Sequence, residues 1–513
     1  MKRVLVIGLD AAEPSLLRRW CRSGDLPALR RVLDGGATGV LETGSRQFPD
    51  VAVFSAYTGL HPARLGRYFF IQQRRDAPRL EILNTVLPNG EPFWVTAGRH
   101  GRRCVVVDTP KIALSPPAGG VHVIGWGAHG FNSPFLAQPA DVGAEILARH
   151  GRYPLLNCDD HGRTARSYRR VHRGLLDGVA ARRRLLLDLM GRRDWDLFFA
   201  VFSETHCAGH NLWGVDAAGD GRPRTPPGDA PGSAVRDVYA AVDAAVGALI
   251  EAAGPDTRVV LFSTQGMRPQ YHGRDLVPAL LRLWGMGEAH NRPPDARREP
   301  RLTVRQPLLK RLREAVPLPL QYVVKRRLPR ALGEALLCRF IGVMALDVAA
   351  RAYQVPNNEM TPALRINVIG RDPAGRVRAG RDYDALREFL AARLRELVNP
   401  ATGRAALADV SVTDDADAGE CRDVLPDLTG YWSAEAPIDA LYSPGYGTVV
   451  GSHRDYRTGG HGPDGLVAIS GPPQQIHGAH IADLAPTVLD LLDVPIPPDL
   501  DGHSLVSPPL PCR

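Results

Sequence analysis

Short apolar runs that alternate with stretches of helical periodicity constrain the fold of this chain more than any other feature. The first run, at 4–9, is typical of a strand buried on both faces. Similar runs follow at 104–107, 197–202, 259–262 and 466–469. Apolar residues at helical spacing occupy stretches between them, as in 174–191 and 235–252. The sequence therefore predicts an α/β fold with a doubly wound, mostly parallel sheet flanked by helices.

The central part of the chain interrupts this alternation. Residues 268–350 contain Pro-rich and Arg-rich runs, and we interpret them as an insertion or cap. The core would then consist of a first part, 1–267, and a second part, 351–513. The Arg-rich segment 301–330 is either a solvated lid or a docking surface for a membrane or partner.

Composition and charge restrict the class of protein. Apolar residues make up 44% of the chain and charged residues 23%, which is ordinary for a globular protein. The formal net charge is +8, with arginine clusters at 182–184 and 325–327. We interpret these clusters as solvated surface, with attraction to phosphate or carboxylate groups as the alternative. Because no nucleic-acid-binding signature occurs, we expect no specific nucleic-acid partner.

Cysteine usage and the amino-terminal segment predict a cytoplasmic protein. The seven cysteines are scattered and form no CxxC pair, so a disulfide framework is not expected. The apolar stretch before Asp10 is too short for a signal peptide. No run of 18 apolar residues occurs, so we expect no transmembrane segment. The oligomeric state is not predicted.

Two histidines directly after the run at 197–202 form the clearest candidate metal site. His206 and His210 are four residues apart, so they share one face if this segment is helical. That spacing suits two imidazole ligands of one zinc ion. Two polar residues at the start of a helix remain the alternative. Their position after a predicted parallel strand favours a functional site.

Two more candidates lie beside predicted strands. His461 is surrounded by glycines, which permit close backbone approach to a ligand, although an ordinary loop is the alternative. Asp10 ends the first predicted strand, where a buried carboxylate is costly unless it is paired or bound to a metal. A helix N-cap is the other interpretation of Asp10.

Seven segments resemble, in the expected order, those of the alkaline phosphatase superfamily, most closely its type I phosphodiesterase/nucleotide pyrophosphatase branch. They are 4–10, 54–62, 196–213, 262–267, 364–373, 459–465 and 481–502. The resemblance implies an alkaline-phosphatase-like core and a metal-dependent hydrolase or transferase of phosphoesters or phosphoanhydrides. Its substrate would be a small phosphorylated anion.

The same resemblance implies a set of metal ligands. Members of the family bind two metal ions, usually zinc, around a catalytic Thr, Ser or Cys. Here His206, His210 and His461 would hold one ion, and Asp10 would belong to the other site. Thr264 and Gln265 replace the Asp and His that this second site uses, and neutral side chains are poor ligands for a divalent cation. We therefore expect one ion, zinc, with manganese or magnesium as alternatives.

The nucleophile of the family has no clear counterpart. Its position falls on Gln47 or Pro49, neither of which can attack phosphorus. Ser55 is the nearest hydroxyl in the matched segment, with Ser45 and Thr43 as alternatives.

A water molecule activated by the ion could also attack directly, with Glu204 or Asp10 as general base. Two further functions remain open. One is a non-catalytic member that binds a ligand or partner, and the other is an enzyme with different chemistry at a single metal in a biosynthetic route.

Overall fold

The computed structural model describes residues 2–506 except for a set of gaps. These gaps are 75–76, 78, 84–88, 128–133, 156–157, 159–163, 217–230, 288–299, 305–315, 317–326, 328, 330–331, 334, 339–346, 414–418 and 452–456. Most of the Arg-rich segment 301–330 therefore lies outside the described residues. The proposed division of the chain at 268 and 350 stays a prediction.

The strands are β1 Arg3–Leu9, β2 Gly36–Glu42, β3 Ile71–Gln73, β4 Leu80–Ile82, β5 Cys104–Val107, β6 Val121–Ile124, β7 Leu136–Gln138, β8 Leu197–Phe202, β9 Thr257–Ser263, β10 Met267–Pro269, β11 Arg301–Thr303, β12 Ala352–Val355, β13 Ala363–Ile366, β14 Val398–Asn399, β15 Arg404–Ala405, β16 Leu407–Val412, β17 Leu428–Trp432, β18 Ala440–Ser443, β19 Gly447–Val450, β20 Gly459–His461, β21 Asp464–Ser470 and β22 Gln474–His480. The α-helices are α1 Pro14–Ser23, α2 Pro27–Asp34, α3 Ala52–Thr58, α4 Phe93–Arg99, α5 Ala140–His150, α6 Ala165–Arg192, α7 Glu204–Leu212, α8 Ser233–Ala253, α9 Val277–Leu283, α10 Arg381–Arg395 and α11 Leu484–Leu491.

A nine-stranded main sheet has the order β22-β2-β21-β9-β1-β8-β5-β6-β7. Its centre is parallel: β1 pairs with β8 and β9, β8 with β5, and β5 with β6. Strand β21 is antiparallel to both of its neighbours, and β7 is antiparallel to β6. The predicted doubly wound, mostly parallel sheet flanked by helices is confirmed.

Successive side chains of β1 show how the sheet is buried on both faces. Leu5 and Ile7 pack into a core with residues of α1, α2, α6, α7 and α8. Val4 and Val6 pack into a second core with residues of α3, α4 and α11. This alternation follows from the two-residue period of a strand, and it explains why the sequence of β1 is apolar throughout.

The chain leaves the main sheet after β9 and returns to it at β21. Between them it forms a five-stranded sheet, β11-β19-β18-β14-β15, and a four-stranded sheet, β12-β13-β17-β16. Helices α9 and α10 pack with these strands around a third core. We call this part of the chain the smaller unit. The two-stranded pairing of β10 with β20 joins its ends beside the main sheet.

Arg182 of α6 is buried completely and holds three elements together. Its Nε donates to both carboxylate oxygens of Glu204, at 2.9 and 3.1 Å, and one Nη donates to Asp108 at 2.5 Å. Its other Nη donates to the carbonyl of Gly127 at 2.6 Å. Burial by itself would lower the pKa of Arg182, but the charges of Glu204 and Asp108 raise it above the usual value. Helix α7 is thereby fixed to α6 and to the end of β5.

The interpretation of 182–184 as solvated arginines is wrong for Arg182. Its position lies on the apolar stripe of α6, three residues after the buried Val179 and three before the buried Leu185. Helical spacing therefore directs this one arginine of the cluster into the protein, while Arg183 is exposed.

Replacing Arg182 by Met should destabilise the protein by about 3–5 kcal/mol, because Glu204 and Asp108 would remain buried without their cation. The free energy of unfolding in urea measures this effect. Arg183→Met, one position further along the same helix, is the matched control and should change stability by less than about 0.5 kcal/mol. Equal effects of the two substitutions would contradict the structural role of Arg182.

Candidate metal centre

Helix α7 places two histidines at the carboxyl-terminal edge of the main sheet. It begins immediately after β8, which is paired with the central strand β1. His206 and His210 both lie on this helix, so their four-residue spacing places them on one face, as predicted. Both side chains are buried, with relative exposures of 4% and 2%. The helix therefore directs two imidazoles toward the same interior region.

His461 completes a cluster of three imidazoles. One ligand atom from each of His206, His210 and His461 can be chosen so that all lie within 4.8 Å of one another. The ring centroids are 4.5 Å apart for His206 and His210, 5.1 Å for His206 and His461, and 4.7 Å for His210 and His461. Three buried imidazole nitrogens around one point suit a divalent metal ion.

A close backbone contact brings His461 to helix α7. A Cβ added to Gly459 would lie 2.2 Å from the carbonyl oxygen of Gly209, so only glycine fits at this position. The backbone N–H of Thr458 donates to the carbonyl of His210 at 2.7 Å. The glycines before His461 therefore permit the approach of β20 to α7.

The orientation of His210 fits a metal ligand. Its Nδ1 lies 2.7 Å from the carbonyl oxygen of Gly459, a pair in which the ring nitrogen must donate the hydrogen. The remaining nitrogen, Nε2, then carries the lone pair that binds a cation. Metal-binding histidines in general donate their second ring nitrogen to an acceptor in this way. The donor set and this orientation together fit an ion held by the three histidines.

Asp10 lies next to the start of α7 but is not a member of this three-residue cluster in the described structure. Its backbone N–H donates to the carbonyl of Phe202 at 3.0 Å, and its carbonyl accepts from the Thr205 hydroxyl at 2.6 Å. Burial, and then the charge of Asp10, raise the pKa of the Tyr57 hydroxyl well above its usual value. The backbone hydrogen bonds of Asp10 hold it between the end of β8 and the start of α7.

Glu204 lies close to His206 in sequence but points to a different part of the protein. Two residues correspond to about 200° around a helix, so the two side chains leave α7 on opposite sides. The Glu204 carboxylate accepts hydrogen bonds from Arg182 and from the Tyr153 hydroxyl, the latter at 2.8 Å. Its oxygens are thus engaged in the contact between α6 and α7.

The candidate hydroxyl nucleophiles occupy two places. Ser55 lies within α3, has 0% relative exposure, and its Oγ has no hydrogen-bond partner in the described part of the chain. Thr43 and Ser45 lie in the loop after β2, where their hydroxyl oxygens are 2.6 Å apart. The Thr43 hydroxyl also lies 2.8 Å from the carbonyl of Pro463, two residues after His461. This loop therefore contacts the chain just after His461.

Thr264 and Gln265, the predicted replacements at the family's second metal site, follow β9. Thr264 and Gln265 are buried, with exposures of 5% and 4%. The Gln265 side-chain carbonyl, Oε1, has no hydrogen-bond partner among the described residues. The Gln265 backbone carbonyl accepts from the Ser263 hydroxyl at 2.8 Å. A neutral amide thus occupies a buried position at the same edge of the sheet.

Two arginines and a tyrosine beside His461 were not predicted from the sequence. The Tyr431 hydroxyl donates to the carbonyl of His461 at 2.9 Å. The guanidinium of Arg268 lies 4.2 Å from the centre of the Tyr431 ring, and that of Arg46 lies 5.7 Å from it. The one sequence signal was the position of Arg268 directly after the matched segment 262–267.

Among solved structures, the phosphonoacetate hydrolase of Sinorhizobium meliloti 1021, bound to phosphonoacetate, is similar in fold. Its TM-score is 0.51 at 14% identity, and the alignment covers 96% of this chain and 95% of that chain. An inactive variant of murine ectonucleotide pyrophosphatase/phosphodiesterase 5 with AMP gives a TM-score of 0.46 at 11% identity, over 98% and 97% of the two chains. A search of curated proteins found no sequence match.

None of the helices in the described ranges combines the length and apolar character needed to cross a bilayer. At the level of sequence families, residues 4–283 match the family described as type I phosphodiesterase/nucleotide pyrophosphatase. That match covers more than half of the 513 residues. It confirms the predicted resemblance and the predicted class, a metal-dependent hydrolase of phosphoesters. The chain belongs to the type I phosphodiesterase/nucleotide pyrophosphatase family of alkaline-phosphatase-like enzymes.

Proposed function

We propose that this protein hydrolyses a phosphoester or phosphoanhydride bond of a small anionic substrate at a single metal ion. The observation that carries the proposal is the buried cluster of His206, His210 and His461. One ion rather than two is proposed because Thr264 and Gln265, both neutral, stand where the resemblance implies the Asp and His of the family's second site. Imidazole donors favour zinc over magnesium and manganese, which prefer oxygen ligands.

The protein groups around the ion have separate tasks in this proposal. A bound zinc ion supplies Lewis-acid polarisation of a phosphoryl oxygen. The carbonyl of Gly459 holds the imidazole of His210 in the ligating orientation. Asp10, at the carboxyl-terminal edge of the sheet, would accept one proton of the attacking water molecule as general base. The phosphorus–oxygen bond to the leaving group breaks as the water oxygen binds phosphorus, and the leaving oxygen takes a proton from solvent.

We assign Glu204 a positioning role in place of the predicted role of general base. Its carboxylate already accepts hydrogen bonds from Arg182 and Tyr153, so its oxygens point toward α6. A carboxylate held on the α6 side of this helix does not face the histidines on its other side. Glu204 would instead keep α7, and with it His206 and His210, at a fixed distance from β20.

A non-catalytic protein that binds an anionic ligand is the second candidate function. The observation in its favour is the replacement of metal-binding residues by Thr264 and Gln265. The two functions differ in turnover and in metal content. The cytoplasmic location and the absence of a nucleic-acid partner stay predictions.

The first test is removal of one imidazole. His210→Ala should lose bound zinc and lower the turnover of bis(p-nitrophenyl) phosphate by more than about 100-fold, since even the loss of a group that orients a ligand costs 10–100-fold. Elemental analysis should find about one zinc per chain in the unmodified protein. His477→Ala, at an exposed position of β22, is the control and should retain both metal and turnover. Retention of zinc and turnover by His210→Ala would show that the site is elsewhere.

The second test separates attack by water from attack by Ser55. We expect Ser55→Ala to keep turnover within about 3-fold, because a hydroxyl with 0% exposure does not reach a substrate. Its stability should stay the same or rise, since the substitution removes a buried hydroxyl that has no hydrogen-bond partner in the described structure. Steady-state kinetics and thermal unfolding measure the two effects. A fall in kcat of about 1000-fold or more would establish Ser55 as the nucleophile and refute water attack.

A further inference from the structure

Arg46, Arg268 and Tyr431 form what we call the arginine–tyrosine cluster. Two guanidinium groups lie over one aromatic ring, with separations from the ring centre of 4.2 Å for Arg268 and 5.7 Å for Arg46. Contacts of this kind stabilise a cation, but two positive charges around a single ring also repel each other. Burial and the charge of Arg46 lower the pKa of Arg268, with Tyr431 acting in the opposite direction.

No described carboxylate neutralises these two arginines. Neither Arg46 nor Arg268 forms an ion pair with an acidic residue in the described part of the chain. Arg268 donates one Nη to the carbonyl of Trp432 at 2.5 Å, and its buried Nε has no hydrogen-bond partner among the described residues.

The acidic groups whose charges act on Tyr431 are Asp464 and Glu13. The Glu13 carboxylate accepts hydrogen bonds from Ser15 and from the backbone N–H of Met267. Asp464 is exposed. Neither carboxylate is bonded to the two arginines, so the cluster is a concentration of positive charge without a fixed counter-ion in the described structure.

One hydrogen bond and two positions in the chain connect this cluster to the neighbourhood of the histidine cluster. Tyr431 donates its hydroxyl hydrogen to the carbonyl of His461. Arg268 directly follows Met267, which is opposite His461 in the pairing of β10 with β20. Arg46 belongs to the loop in which the Thr43 hydroxyl contacts the carbonyl of Pro463. An anion bound by the arginines would therefore lie near β20, the strand that carries His461.

We propose that the arginine–tyrosine cluster binds a second anionic group of the substrate, a phosphoryl or carboxylate group adjacent to the one that is hydrolysed. This inference rests on the proposed function for its place in the reaction, but the binding itself does not require turnover. Guanidinium groups bind both kinds of anion through paired, charge-assisted hydrogen bonds. The substrate would carry two anionic groups, as a phosphoanhydride does.

The test measures binding to the full chain without metal, so that the histidines contribute no metal-mediated affinity. Isothermal titration calorimetry in the presence of a chelator would use inorganic pyrophosphate in one arm and malonate in the other. The dissociation constant should rise about 10-fold for Arg268→Gln and about 3-fold or more for Arg46→Gln. Arg378→Gln, at an exposed position of the smaller unit, is the matched control and should bind as the unmodified protein does.

The outcomes separate the inference from the proposed function. Arginine-dependent binding of either probe supports the inference, and the tighter probe identifies the second group as phosphoryl or carboxylate. If neither probe binds, or if both arginine variants bind as the control does, the inference is wrong. Because Arg46 is exposed, Arg46→Gln decides the matter if Arg268→Gln does not fold.

Turnover gives the complementary result. Both arginine substitutions should lower the turnover of inorganic pyrophosphate by a larger factor than the turnover of bis(p-nitrophenyl) phosphate, which has a single negative charge and no second anionic group. If the unmodified protein hydrolyses no phosphoester with any metal but still binds pyrophosphate through its arginines, the proposed function fails and the anion site remains.

Discussion

The ion pair of Arg182 with Glu204 and Asp108 is the interaction on which the arrangement of the site depends. A cation and two carboxylates that are all fully buried have lost their hydration, and only their mutual contacts offset that loss. Such contacts tolerate little displacement, so α7 has a defined position relative to α6 and β5. This contact therefore also fixes the imidazoles of His206 and His210, which leave the same helix on its other side.

The fold could be predicted from the sequence because its signals are local. Strands β5 and β8 match the predicted bounds, and the predicted helices at 174–191 and 235–252 lie within α6 and α8. The proximity of His206 and His210 was predictable for the same reason, since side chains four residues apart lie on the same face of a helix. Each of these inferences needed only neighbouring residues.

The rest of the site depends on contacts between distant residues. Tyr431 lies 30 residues before His461 and reaches it from the smaller unit, a contact that no periodicity indicates. For Glu204 the sequence suggested a proximity that the structure does not have. It lies two residues from His206 in the chain, but the helix directs its side chain to α6. Arg182 could have been recognised from the apolar stripe of α6, but its charge suggested solvent.

The histidine cluster joins the two ends of the smaller unit to the main sheet. His461 comes from β20, which pairs with β10 where the chain leaves toward that unit, whereas His206 and His210 come from α7. A cation that binds all three imidazoles would thus close a loop of about 250 residues, and its binding energy would oppose any detachment of β20. Metal affinity would then depend on whether the smaller unit is folded, although the ion does not contact the core of that unit. Partial unfolding of the smaller unit would first release the ion.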